Sequence, residues 1–226
     1  MCPGAWSRRE QPLPPNSAGV GTKFIFGSRC GMAMPRASRK PKTVGKVPPG
    51  FEVDRKVPIG RHPLLTVFPG LDALPTATRH EPNAAKRRKL HRETCVEIVP
   101  EDMWMYVAPF TVPRIARGRW RPVVSPDTDC IVIGESHLRE SPELILFLDI
   151  FHELRHVQQR HDGQELWDER YTYTTRPTEL EAYRFVIDEA RSLGVPDPVL
   201  RDYLKVEWID AKEYRQLLLA MDVAPS

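Results

Sequence analysis

The chain has 226 residues, enough for one ordinary domain with tails or for two small domains. Its net charge of +3 conceals a split, because residues 1–93 carry +12 and residues 94–226 carry −9, the pattern of a basic tail joined to a folded domain. Neither a signal peptide nor a bilayer span is predicted, since the longest apolar run, around 144–151, is short and broken by Asp149.

The four cysteines, Cys2, Cys30, Cys95 and Cys130, form no Cys-x-x-Cys pair. That argues against a cysteine-ligated metal and against a disulfide-dense secreted scaffold, so a cytoplasmic protein is expected. Residues 1–62 are rich in Pro, Gly, Ser, Lys and Arg, and their few apolar residues recur at no period. They read as a disordered basic arm, open to a nucleic acid or another acidic partner. Residues 63–93 read as a basic linker or domain edge. They hold Lys86-Arg87-Arg88-Lys89, a run without interleaved aromatics and so more simply a solvated edge than a base-stacking surface.

From residue 94 to residue 226 the pattern is that of a folded domain. Cys95–Val99 alternates as a strand does, Met103–Val107 follows as a second, and 118–124 makes a third with Pro122 at an edge. Ser125-Pro126-Asp127-Thr128-Asp129 is turn chemistry, and Cys130–Ile133 is the clearest strand of all. A helix is predicted from 142 to 160, with Ser141 as its cap and Pro142 at its first position. Tyr171–Thr175 reads as a short extended segment or loop. A helix from Pro177 to Leu193 ends at Gly194, residues 204–209 read as a strand, and Ala211–Met221 as an amphipathic helix.

The first of these helices carries the chemistry. His152-Glu153-Leu154-Arg155-His156 reads His-Glu-x-x-His, and helical geometry puts both imidazoles on one face, one turn apart. Two imidazoles so placed can hold a zinc ion, with Glu153 beside them as base toward a metal-activated water. Asp149 joins His152, Glu153 and His156 in one stripe, and a polar stripe on a helix flanked by apolar residues is costly unless something satisfies it. Asp149 is therefore either a hydrogen-bond partner of a ligand imidazole or a pocket-lining acid.

A catalytic zinc takes a third protein ligand. Asp162 lies six residues after His156, but Gln159 stands where that arrangement requires a glycine, and His161 points away if the helix continues. Glu179 shares its stripe with Ala182, Val186, Ala190 and Leu193, so it faces the core, whereas Glu181 shares one with Arg184, Asp188 and Ser192. Glu179 is the preferred ligand. Glu181 is the alternative ligand, and it also fits a capping box with Thr178.

His152-Glu153-x-x-His156 followed by Glu179-x-x-Ala182 with Phe185 resembles the gluzincin metallopeptidases, and most nearly the ImmA/IrrE-type peptidases and the soluble relatives of HtpX-like peptidases. Tyr183 departs from that pattern, since Asp or Asn is usual there. The resemblance covers roughly residues 130–190. It implies an α+β, zincin-like fold: a small mixed sheet packed on the His-Glu-x-x-His helix and a Glu-bearing helix. It also implies one Zn²⁺ held by His152, His156 and Glu179, and peptide hydrolysis with Glu153 as the catalytic residue. An oxyanion donor would come from Tyr171, Tyr173 or His137, and a peptide or protein substrate would pair with Ile131-Val132-Ile133. The alternative is a zinc-binding but inactive domain for protein or DNA interaction.

Overall fold

The computed structural model describes residues 46–74, 84–100, 122–125, 128, 130–206 and 208–225. These belong to one unit running from Pro41 to Ser226. The strand expected over Met103–Val107, the start of the one expected over 118–124, and the basic arm up to residue 45 lie outside the described residues.

Among the described residues, four strands form one mixed sheet: β1 (Gly60–Pro63), β2 (Cys95–Val99), β3 (Val123–Val124) and β4 (Cys130–Gly134). Their order is β1-β2-β4-β3, with β2 and β4 parallel and the outer pairs antiparallel. β4 is buried at every position, as its unbroken apolar run requires when strands lie on both sides and helices cover the faces. Cys95 and Cys130 are register partners across β2 and β4, and their sulfurs form a disulfide. Sequence reading did not pair them. They lie 35 residues apart, and only the parallel register brings them together.

Among the described residues, seven helices accompany the sheet: α1 (Leu64–Val67), α2 (Ala84–Glu93), α3 (Glu135–Glu140), α4 (Glu143–His161), α5 (Pro177–Ser192), α6 (Asp197–Leu204) and α7 (Ala211–Ala220). The fold is thus mixed α+β with a small sheet. α4 is nineteen residues long and buries thirteen of them. Leu144, Phe147, Leu148 and Ile150 join Val96, Ile98, Ile131 and Ile133 in a single apolar core. No helix among the described residues is long and apolar enough to cross a membrane.

Four sequence expectations need correction. The disordered arm does not extend to residue 62. Phe51 and Val57 are core residues, and the Phe51 ring meets Phe147 edge-on at 5.1 Å and stacks on Phe68 at 6.0 Å. Arg55 donates to the carbonyls of Leu138 and Ser141, while Arg139 donates back to the carbonyl of Val57. These long-range contacts hold a segment that has no periodicity of its own, so periodicity could not reveal it. The folded region accordingly begins before residue 94. Residues 63–74 and 84–93 are also part of it, with Arg87 bonded to the Leu74 carbonyl and His91 to Asp72, while Lys86, Arg88, Lys89 and Arg92 remain exposed.

Ser141 does not cap α4. Its backbone N–H closes α3 on the His137 carbonyl, and its hydroxyl bonds His137 Nδ1. Nor do the described residues between 204 and 209 form a strand. The apolar residues at 200, 203 and 204 lie on α6, a short helix that starts at Asp197-Pro198, where proline suits the first turn. α7 does carry a full capping box, Asp210 accepting from Lys212 and Glu213 while Glu213 reaches back to the Asp210 N–H.

Candidate metal centre

α4 and α5 pack side by side and bring three donors to one point. His152 and His156 sit one helical turn apart on α4, and their Nε2 atoms are 3.0 Å apart. Glu179, in the first turn of α5, places Oε2 3.4 Å from each of those nitrogens. That oxygen is buried and has no hydrogen-bond partner. An unpartnered carboxylate oxygen converging on two imidazole nitrogens suits a divalent cation with N/O preference, and zinc is the common case. Among the described residues, His152, His156 and Glu179 form the one cluster with such spacing. Helical periodicity had selected Glu179 over Glu181, and the geometry brings Glu179 to the imidazoles.

Each donor is held by a different neighbour. His156 Nδ1 lies 2.8 Å from Gln159 Oε1. The His152 ring lies 4.5 Å from the ring of Tyr183, whose hydroxyl bonds Tyr173 at 2.6 Å. The Arg176 guanidinium lies 3.7 Å from Glu179 Oε1, the oxygen turned away from the imidazoles. Glu181 faces elsewhere: it accepts from Arg155 and, at 2.8 Å, from Gln159 Nε2. Its expected capping box with Thr178 does not form, because α5 already starts at Pro177 and Arg176 is the cap position. Tyr183 thus fills with an aromatic face the place where the resembled families carry Asp or Asn, and His152 Nδ1 is left buried without a hydrogen-bond partner.

The charges are balanced within the cluster. Burial pulls both imidazoles down, and His152 stays below its ordinary value. At His156 the Glu179 carboxylate outweighs burial and holds the ring at about 9. Burial works upward on Glu179, but the two imidazoles overcome it and keep its carboxyl well below the usual range. Without a cation, burial and the Glu179 carboxylate thus leave His156 the more basic of the two rings.

Glu153 is buried one residue along, with Oε2 lacking a partner. Burial pushes its carboxyl up to about 8; Glu179 and Asp149 add to this, and the His156 charge and the Val124 N–H oppose it. The bond to Val124 ties Glu153 to β3, the strand at the edge of the sheet.

No known protein family, curated protein or solved structure matches the chain. The likeness to gluzincins therefore rests on these residues themselves.

The remaining candidates fall in different places. Asp149 does not reach a ligand imidazole: its Oδ2 bonds His137 Nε2 at 2.8 Å, and His137 bonds Ser141 through Nδ1. All three are nearly inaccessible to solvent, so His137 is engaged inside the core and is not presented as an oxyanion donor. Tyr173 is bound to Tyr183 and packed against Trp208, and Tyr171 is exposed beside Arg170. His161 and Asp162 are exposed where α4 ends. The Ile131–Ile133 strand cannot receive a peptide, because β2 and β3 already occupy both of its edges. The residue that sequence reading missed is Gln159, which is fully buried. Its signal was present, since it follows His156 by three residues on the same helical face.

Proposed function

We propose that this chain is a zinc-dependent endopeptidase in which His152, His156 and Glu179 hold the metal and Glu153 is the catalytic base. The observation that carries the reading is the buried, unpartnered Glu179 Oε2 at 3.4 Å from two imidazole nitrogens. When bound, zinc supplies a Lewis acid that acidifies water and polarises the scissile carbonyl. Glu153 has a carboxyl oxygen without a hydrogen-bond partner, so once ionised it can take the proton of the attacking water and return it to the leaving amine. Arg176 holds the outer oxygen of Glu179, and Gln159 holds the far nitrogen of His156. A substrate chain would add to β3, the edge strand among the described residues to which Glu153 is tied, rather than to β4. A free oxygen on Glu153 favours catalysis over a purely structural zinc domain, which gains nothing from a buried unpartnered carboxyl.

The test is metal-dependent cleavage. The purified chain should cut a peptide library, lose that activity to a chelator and regain it with zinc. Cleavage that persists in the chelator sinks the reading. Metal analysis separates the two glutamates: at saturating zinc, Glu179→Ala should fall well below one ion per chain, while Glu181→Ala should stay near one. The reverse result would make Glu181 the ligand.

Metal uptake should also depend on pH. His156 titrates near 9 without metal, so below that value a cation must displace its proton. Apparent zinc affinity should rise by about tenfold per pH unit from 7 toward 9 and flatten above, as measured by dye competition. A flat affinity between pH 7 and 9 contradicts this assignment.

A further inference from the structure

We infer that Gln159 is the positioning residue that fixes the tautomer of His156, with Glu181 and the Thr178 carbonyl setting the direction of its amide. This rests on the metal-binding reading and extends it to two residues outside the donor set. The argument is one of donors and acceptors. Gln159 Nε2 lies 2.8 Å from Glu181 Oε2 and 3.0 Å from the Thr178 carbonyl oxygen. Both of those oxygens only accept, so the group facing them is the NH₂ and both of its hydrogens are used. The amide oxygen then faces His156 Nδ1 at 2.8 Å, and an oxygen can only accept there. His156 must carry a hydrogen on Nδ1, so Nε2 is the nitrogen that offers a lone pair between His152 and Glu179 once a cation displaces its proton.

Glu181 is itself held. Arg155, within the His-Glu-x-x-His segment, donates to its other oxygen and to Gln158 Oε1 at 2.7 Å. The chain Arg155–Glu181–Gln159–His156 thus runs from α4 to α5 and back to α4. It gives Glu181 a task two hydrogen bonds behind the metal position. Gln159 is fully buried, so no water competes for the amide.

The experiment compares wild type, Gln159→Met and the exchange Gln159→Glu/Glu181→Gln in the full chain, with zinc as the probe. Met matches glutamine in length but offers no acceptor of comparable strength. Gln159→Met should bind zinc about 10- to 100-fold more weakly than wild type while still reaching one ion at saturation. The exchanged pair restores an acceptor toward His156 and a donor at 181 but turns a second carboxylate oxygen toward the Thr178 carbonyl, so it should recover part of the affinity. A purely structural role for Gln159 predicts no such recovery.

Nitrogen-15 NMR of the zinc-loaded wild type provides a reading that needs no variant to fold. It should show His156 with a protected Nδ1–H. A ring protonated on Nε2, or Gln159→Met binding zinc as tightly as wild type, overturns the inference alone. A wild type that takes up no zinc overturns the metal reading and this inference with it.

Discussion

Glu153→Gln should slow peptide hydrolysis by about a hundred- to ten-thousand-fold while leaving one zinc per chain. Gln has the same shape as Glu and keeps an oxygen to accept from the Val124 N–H, so the helix and the three donors need not move. What it loses is the capacity to take a proton. The same substitution should stabilise the metal-free protein. Glu153 titrates near 8 when folded and near 4.5 when exposed, so at pH 7 the unfolded chain is ionised there and the folded chain is not. For a carboxyl raised in this way, stability is fully present below the unfolded value and is lost as pH rises toward the folded one. The cost at pH 7 is on the order of 3 kcal/mol, which Gln avoids. With a chelator present, Glu153→Gln should therefore melt higher than wild type at pH 7, and the gap should close as pH falls to about 4. A variant that cleaves within a few-fold of the wild-type rate removes Glu153 from the mechanism. Equal melting temperatures at pH 7 would show that the carboxyl is solvated in the folded protein.

Reducing the Cys95–Cys130 bond should be the largest purely structural perturbation. The bond closes a loop of 35 residues. Loop-closure entropy assigns a cross-link of that span roughly 4 kcal/mol, mostly by restricting the unfolded chain. For a protein of this size each kcal/mol moves the midpoint by about 2–4 °C, so reduction should lower it by about 8–15 °C. Thermal denaturation of the oxidised and reduced wild type is the direct comparison. It is cleaner than a Cys130 variant, which would put a different group at a fully buried position. Coincident curves would mean that the pairing of β2 with β4 is already set without the bond.

The site was more legible than its surroundings because its signals are local. Spacing within one helix puts His152 beside His156, and the apolar stripe through Ala182, Val186 and Ala190 turns Glu179 inward. Both follow from 3.6-residue geometry. The groups that hold the site in place depend on partners distant in sequence. Glu181 was read as a cap because Thr178 stands three residues before it, yet Arg155 and Gln159 reach it from another helix. Asp149 was correctly placed in the buried stripe, but its partner, His137, comes from α3. Phe51, Val57 and Arg55 escaped notice for the same reason: an aperiodic segment is ordered by contacts 80 or more residues away, and no window of local sequence contains them. Ser141 shows the converse error, a correct cap residue that serves the end of one helix instead of the start of the next.

The link between β2 and β4 also sets how the molecule would respond to a break in its backbone. Every residue from 96 to 129, including β3, lies inside a covalent ring closed by Cys95 and Cys130. A single peptide-bond cut anywhere in that ring, by another protease or by a second copy of this chain, opens the ring without releasing a fragment. The two pieces would migrate together on a non-reducing gel and separate only after thiol treatment. Damage to the segment leading into the edge strand would thus go unseen by any assay of size that leaves disulfides intact.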